Sequence, residues 1–347
     1  MVEVIVDQLG ISIPSRLMAN DDMVNDFIST GSLTAEKIEE KTGISQRFFL
    51  NPDVGENLVS MAAKAVFSAI QQEDTLKIDA LFYVGVSPPA DYVHKNDILY
   101  SQEANHANIS SLTLPAEDIM VKLKAEDSRF ANTKLFRSFG GCAGLISAMI
   151  KAHDQIKKGQ IETAMVVCVT DISRCLDPGD ENTAILFGDG ACALLLRAGD
   201  TFANGRIIAH YEDINQELDH LLFYQRAGGK WFARMPNGGQ VFRAALTTIM
   251  DKCMPAIKAQ GFSIDMIDHF IFHQANGRIL DSIAHRCGIS SEKMYKTIKH
   301  YGNTSAASIG ISWFDAIFRQ KKIKQGDLVF LCSFGAGFKT NFMIVQH

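Results

Sequence analysis

Ile78-Asp-Ala-Leu-Phe-Tyr-Val84 returns 189 residues later as Ile267-Asp-His-Phe-Ile-Phe-His273. Both runs open on Ile-Asp and continue as a short apolar stretch, the pattern of a buried strand rather than a solvent-facing one. A second pair repeats the theme. Lys158-Gly-Gln-Ile-Glu-Thr-Ala-Met-Val-Val-Cys168 is echoed by Gln325-Gly-Asp-Leu-Val-Phe-Leu-Cys332, and the two glycines stand 167 residues apart. The same element types recur in the same order. A duplicated α/β unit explains that, and so does chance likeness between apolar strands. If the chain is duplicated, the seam falls in the turn-rich stretch Ala198-Gly-Asp-Thr-Phe-Ala-Asn-Gly205, dividing it into units 1–199 and 200–347.

Working outward, Val2, Val4 and Val6 alternate as in a first strand, and Ala80–Val86 reads as a buried one. Leu145–Lys158 carries apolar residues at 145, 146, 148, 149, 152 and 156, the stripe of a helix that Gly159 ends. Ala164–Val169 and Cys192–Leu196 are two more short apolar runs. Strands alternating with helices imply an α/β fold, a sheet covered by helices on both faces.

Composition narrows the function classes. The chain has 347 residues, enough for about two domain-sized units, with 47% hydrophobic and 21% charged residues. That excludes a disordered chain. A net charge of −5 carries no broad basic surface, so nucleic acid is not expected as a partner. No run approaches the roughly 18 apolar residues of a membrane span. The N-terminus lacks a basic stretch followed by an apolar one, so no secretory signal is read there. The seven cysteines (142, 168, 175, 192, 253, 287 and 332) are scattered with no Cys-x-x-Cys pair. They are expected to be reduced, buried thiols of a cytoplasmic protein, and no metal site is expected.

Four segments depart from generic core. In Ser138-Phe-Gly-Gly-Cys142-Ala-Gly-Leu, glycines relieve a sharp turn and set Cys142 at the start of the helical stripe. A helix N-terminus favours the thiolate, which is the nucleophile; a small residue tolerated in a tight turn is the plainer reading. Phe270-Ile-Phe-His273-Gln-Ala-Asn276-Gly-Arg278 places a histidine at a strand's end, suited to base or hydrogen-bond chemistry. A histidine there can equally be a satisfied structural residue. His300-Tyr-Gly-Asn303-Thr-Ser-Ala-Ala-Ser308 is a small-residue turn into a helix, in which Asn303 is a neutral donor or a helix cap. Cys332-Ser-Phe-Gly335-Ala336-Gly337-Phe is either a plain turn or a loop whose backbone N–H groups receive an oxyanion. Phe187-Gly-Asp189-Gly-Ala reads as a structural junction.

Taken together, Gly-Gly-Cys142-Ala-Gly, His273-Gln-Ala-Asn-Gly-Arg, Gly302-Asn303-Thr-Ser-Ala-Ala-Ser and Phe334-Gly-Ala-Gly-Phe resemble the β-ketoacyl-acyl-carrier-protein synthase III family of the thiolase superfamily. Cys142 precedes His273 by 131 residues, and Asn303 follows 30 further on. Phe187-Gly-Asp-Gly-Ala and Lys41-Thr-Gly-Ile44 are similar to further family motifs, and Met235–Phe242 matches loosely. The resemblance implies a duplicated five-layer αβαβα thiolase-like fold, which would also account for the echo. It implies that Cys142 accepts an acyl group. His273 and Asn303 would then hold the thioester carbonyl of a malonyl- or β-ketoacyl-type extender as CO2 leaves. The backbone N–H groups of Cys142 and Ala336 would form the oxyanion hole. No cofactor is implied beyond the thioester substrates, carried by coenzyme A or an acyl carrier protein, and a homodimer is expected.

Two departures from the family matter. Lys37 and Lys41 stand where coenzyme-A-primed members carry an aromatic and an arginine, so the stacking surface for adenine is missing. Arg278, Lys37 and Lys41 remain as a positive entrance suited to a phosphate or an acidic carrier. The stretch from Pro88 to about Leu112, with Tyr92, His94, Tyr100 and His106, is an insertion expected to reshape the substrate pocket or a partner contact. Both point toward a specialised-metabolite variant. Competing readings are a papain-type hydrolase, which shares the Cys-His-Asn order but has a different local signature, acyl transfer to oxygen or nitrogen without decarboxylation, and a non-catalytic subunit of a heterodimeric synthase.

Overall fold

The computed structural model describes residues 2–70, 76–86, 106–108, 116–138, 141–199, 204–214, 221, 223–228, 230–335 and 339–347. Among the described residues, fourteen strands run in chain order: β1 (Val4–Ser12), β2 (Arg16–Ala19), β3 (Gln46–Phe49), β4 (Ala80–Val86), β5 (His106–Asn108), β6 (Lys134–Arg137) and β7 (Thr163–Thr170). They continue as β8 (Gly190–Ala198), β9 (Arg206–Ile214), β10 (Phe223–Ala227), β11 (Lys230–Arg234), β12 (His269–Phe272), β13 (Leu328–Phe334) and β14 (Lys339–Gln346). Nine of them form one sheet in the order β12-β13-β14-β9-β1-β8-β7-β4-β6.

The order repeats about its middle. Outward from β1, β8 is antiparallel, β7 antiparallel to β8, and β4 parallel to β7. Outward from β9, β14 is antiparallel, β13 antiparallel to β14, and β12 parallel to β13. The two halves meet where β1 and β9 lie antiparallel, with Ile5 opposite Arg206. The sequence echo therefore marks equivalent strands. The Ile78 and Ile267 runs become β4 and β12, the fourth strand outward in each half, and Gly159 and Gly326 lead into β7 and β13, the third.

Strand periodicity builds the layers, because successive side chains face opposite sides of a sheet. Phe82, Val84, Val166, Cys168, Leu194, Leu331 and Met343 face a central core, together with the helix Gly144–Lys157 and the helix Ser308–Phe314. Their neighbours Leu81, Tyr83, Val167 and Leu195 face the helices Leu58–Ala69 and Ala116–Glu126 on one outer side. Phe270, Phe272, Phe330 and Phe342 face the helices Gly238–Thr248, Met254–Ala259 and Gly277–Cys287 on the other. The two central helices touch strands of both halves. The result is helix, sheet, helix, sheet, helix, with both faces of every central strand buried, which is why those strands read as continuous apolar runs.

The helix expected over 145–158 spans Gly144–Lys157, and Gly159 follows it at φ +66°. All seven cysteines are free and buried. Among the described residues, no helix is long and apolar enough to cross a membrane. Of the insertion at 88–112, only 106–108 is described. It forms β5, which pairs with β10 in a three-stranded sheet with β11. Tyr92, His94 and Tyr100 lie outside the described residues.

Candidate active site

Equivalence of the halves brings the site together. Cys142 sits in a single 3₁₀ turn, Gly141–Ala143, just before the first central helix. Asn303 sits just before the turn Ser305–Ala307 that leads into the second. His273 is the first residue beyond β12, its N–H held by the Cys332 carbonyl at 2.8 Å. All three line one cavity of about 810 Å³, at whose wall Gly335 also stands. They are 5%, 5% and 2% exposed for Cys142, Asn303 and His273, so each is largely shielded from bulk solvent. Among the described residues, the one cluster of three metal-ligating side chains, His153, Asp154 and His210, does not line this cavity.

The thiol is not in the state expected of a cysteine at a helix N-terminus. Burial pushes it up to about 11, while a hydrogen bond with Ser305 and its own backbone surroundings pull the other way. Desolvation of a charged sulfur outweighs the helix end, so Cys142 rests as a thiol at neutral pH. Its Sγ lies 3.2 Å from Ser305 Oγ.

His273 is pushed down to about 3 by burial alone, so the ring is neutral at physiological pH. Its Nδ1 is 2.7 Å from Ser308 Oγ, and that oxygen also accepts the Gln274 N–H at 3.3 Å. When the Ser308 hydroxyl donates to Nδ1, the ring proton stands on Nε2. The Phe334 ring packs edge-on against the imidazole, centroids 5.5 Å apart. Asn303 is oriented similarly: its Oδ1 accepts the Ser305 N–H at 2.9 Å and its Nδ2 donates one hydrogen to the Ala275 carbonyl at 3.4 Å, which leaves the second amide hydrogen as a donor. Both polar side chains are thereby set as donors.

A neutral imidazole makes a pH prediction. The folded value is lowered from 6.5 to about 3, so below pH 6.5 the unfolded chain gains a proton that the folded chain refuses. His273 therefore contributes stability in full above pH 6.5, and the contribution is lost as pH falls toward 3. Urea unfolding midpoints should drop over that window by less in His273→Asn than in wild type. Any reaction using His273 as a neutral donor should show no acid limb near pH 6.5; a limb there that vanishes in His273→Asn would contradict the assignment.

The motifs divide into working and supporting residues. Gln274 donates to the Phe272 carbonyl at 2.7 Å and accepts the N–H groups of Thr297 and Ile298, capping the helix Ile298–Tyr301. Asn276 caps the helix Gly277–Cys287. A Cβ on Gly277 would stand 3.0 Å from the Thr42 carbonyl and 3.2 Å from Gly43 Cα, so the Lys41-Thr-Gly-Ile and His273 motifs meet backbone to backbone. The Phe187-Gly-Asp-Gly junction clamps Asn303: Asn303 N–H donates to Leu186 O at 2.9 Å and Gly188 N–H to Asn303 O at 3.1 Å. Asp189 anchors this turn by accepting the N–H groups of Leu50 and Ser173, while burial raises its carboxyl to about 7.

Several contributors carry no sequence signal of chemistry. Ser305 and Ser308 read only as small residues in a turn. Asn341 on β14 is fully buried and donates to Ala143 O at 3.1 Å and Ser147 Oγ at 2.9 Å, tying the cysteine turn of the first half to a strand of the second. Gly335 packs flush on the cysteine. A Cβ there would stand 2.7 Å from Cys142 Cβ and 3.1 Å from its backbone N. Gly335→Ala should slow any reaction of Cys142 about a hundredfold while the far-UV spectrum stays native; wild-type rates would show that the turn yields freely. Ala336 lies outside the described residues.

At the mouth, Lys41 and Arg278 line the cavity together with the loop Met235–Gly239, Val241 and Phe242. Arg278 is largely exposed and stands 4.0 Å from Glu40. Lys37 does not line the cavity. It sits at the start of the helix Ala35–Thr42, where its Nζ reaches the Ser32 carbonyl at 3.4 Å. Of the three expected entrance residues, Lys41 and Arg278 line the cavity and Lys37 does not.

Fold and cavity define a thiolase-type α/β protein with a buried cysteine between two equivalent halves. The 3-oxoacyl-[acyl-carrier-protein] synthase III family model matches residues 139–212, and the model of that enzyme's C-terminal part matches 257–347. The β-ketoacyl-[acyl-carrier-protein] synthase III of Thermosynechococcus vestitus is 31% identical over 317 residues, covering 87% of each chain. The same-named protein of Ehrlichia ruminantium is 30% identical, covering 97% of each. The crystal structure of 3-oxoacyl-[acyl-carrier-protein] synthase III from Aquifex aeolicus VF5 superposes with a TM-score of 0.80 at 25% identity over the full length of both chains. The chain belongs to the β-ketoacyl-acyl-carrier-protein synthase III family.

Proposed function

We propose that this chain is a ketosynthase-type acyltransferase with Cys142 as its nucleophile and His273 and Asn303 as its enolate-stabilising pair. The observation that carries the reading is the cavity itself. It is lined by a buried thiol, a neutral imidazole and a carboxamide drawn from both halves of the chain. In the first stage the Cys142 sulfur attacks the carbonyl of an acyl thioester. The carbon–sulfur bond to the carrier breaks, and the thiol proton leaves with the carrier's sulfur. In the second, a malonyl-type thioester enters and its carboxylate departs as CO2. The electron pair passes to the thioester carbonyl, whose oxygen becomes an enolate facing His273 Nε2–H and the Asn303 amide. Neutral donors preset for a developing negative charge lower that barrier without first having to be protonated. The enolate carbon attacks the acyl-Cys142 carbonyl, whose oxygen is received by the backbone N–H groups of Cys142 and Ala336. Collapse expels the Cys142 thiolate and releases the β-keto thioester. One hard condensation becomes two accessible steps, and loss of CO2 supplies the drive without a cofactor.

Lys41 and Arg278 at the mouth suit the phosphate of coenzyme A or an acidic acyl carrier protein. The reading further comprises two thiolase-like units, 1–199 and 200–347, and a cytoplasmic homodimer. It places the chemistry in fatty-acid or specialised-metabolite synthesis, the second favoured by the missing adenine-stacking aromatic at Lys37. Intact-mass spectrometry after incubation with a panel of acyl-coenzyme A and acyl-carrier thioesters tests it. The expected result is one acyl adduct per chain, followed by CO2 release from a malonyl thioester. No adduct with any donor overturns the transferase reading, and an adduct without CO2 release moves the reaction to acyl transfer onto oxygen or nitrogen.

A further inference from the structure

We infer that Ser305 is a positioning residue for Cys142: its hydroxyl holds the sulfur in its attacking orientation and donates to it as it becomes a thiolate. The inference rests on Cys142 being the nucleophile. Three observations carry it. Ser305 Oγ is 3.2 Å from Cys142 Sγ, a contact between residues 163 apart in sequence. Ser305 is 1% exposed, so water does not compete for that hydroxyl. Its backbone is at φ +47°, one of two non-glycine residues of positive φ among the described residues, a conformation that L side chains rarely adopt.

The unusual backbone lets one residue serve two members of the site. The Ser305 N–H donates to Asn303 Oδ1 at 2.9 Å while the hydroxyl reaches the cysteine, so amide and sulfur are held on one frame. The need for it is electrostatic. Burial opposes the thiolate, and among the described residues Ser305 is the side chain whose hydrogen bond acts the other way. The His273 Nδ1 is engaged with Ser308, and burial keeps its ring uncharged. A hydrogen bond to a buried anion is worth more than one between neutral groups, so the hydroxyl matters most at the moment the proton leaves.

The test is the rate of iodoacetamide alkylation at Cys142, followed by peptide mass spectrometry from pH 6 to 10, in wild type, Ser305→Ala and Ser305→Gly. Alanine removes the hydroxyl and keeps the backbone conformation. Glycine removes it and relieves that conformation as well. Both should alkylate about tenfold more slowly at every pH in the range. Acyl loading should slow in step, while CO2 release by enzyme already acylated stays within about twofold, since the Asn303 contact is to the backbone. Equal alkylation in Ser305→Ala and wild type would overturn the inference. So would recovery of the wild-type rate in Ser305→Gly, which would make backbone strain, not the hydroxyl, the source of the effect. Alkylation needs no thioester, so these failures are distinct from a failure to form any acyl adduct.

Discussion

Cys142→Ala should form no acyl adduct with any thioester that labels the wild type, and condensation should fall at least about a thousandfold. The effect is the largest expected because a thiol is the acyl acceptor and the two groups held beside it are poor substitutes. Ser305 is an alcohol of far higher proton affinity, and His273 is committed through Nδ1 to Ser308. The substitution should cost little in folding: the site is buried, but the change removes a single sulfur atom and its one side-chain hydrogen bond, to Ser305. Intact mass and thermal unfolding on the same sample separate the two effects. A persistent adduct in Cys142→Ala would assign the nucleophile elsewhere among the seven cysteines, all of them buried.

The second large effect falls on the other half of the chain. His273→Ala and Asn303→Ala should each load the acyl group at near wild-type extent, yet lose malonyl decarboxylation about a hundred- to a thousandfold. Loading depends on the sulfur and the backbone N–H groups beside it, whereas the enolate depends on these two donors. Since both donors face one developing charge, the double variant should lose less than the product of the single losses. Measuring CO2 from acylated enzyme isolates the step. Undiminished CO2 release in both single variants would contradict their roles. A loss of loading equal to the loss of CO2 release would instead mean that the substitutions had disturbed the cysteine turn through Ser305 and Ser308.

Much of this was legible in the chain. The helix over 145–158 and the strands at 80–86, 164–169 and 192–196 declare themselves because their signal is the local spacing of apolar residues. The echo of Ile78 in Ile267 marked equivalent strands before any topology was seen. Cys142, His273 and Asn303 stood out through the motifs around them. Other features were not legible, for a common reason. Ser305 matters through a left-handed backbone and a contact spanning 163 residues, and neither leaves a trace in residue type. The helix N-terminus at Cys142 argued for a thiolate, but burial by residues distant in sequence reverses that preference. Lys37 resembles Lys41 in charge and spacing, and only the path of its side chain to Ser32 separates them.

The amino-acid sequence by itself determined the elements, their repetition and which residue types could react, because periodicity, turn chemistry and motif spacing act over a few residues. Only the tertiary structure decided how the two halves face one another, that the cysteine turn and the asparagine loop precede equivalent central helices, and in which protonation states sulfur and imidazole meet. Those outcomes depend on desolvation and on hydrogen bonds between segments more than a hundred residues apart, and such energies exist only once the layers have closed.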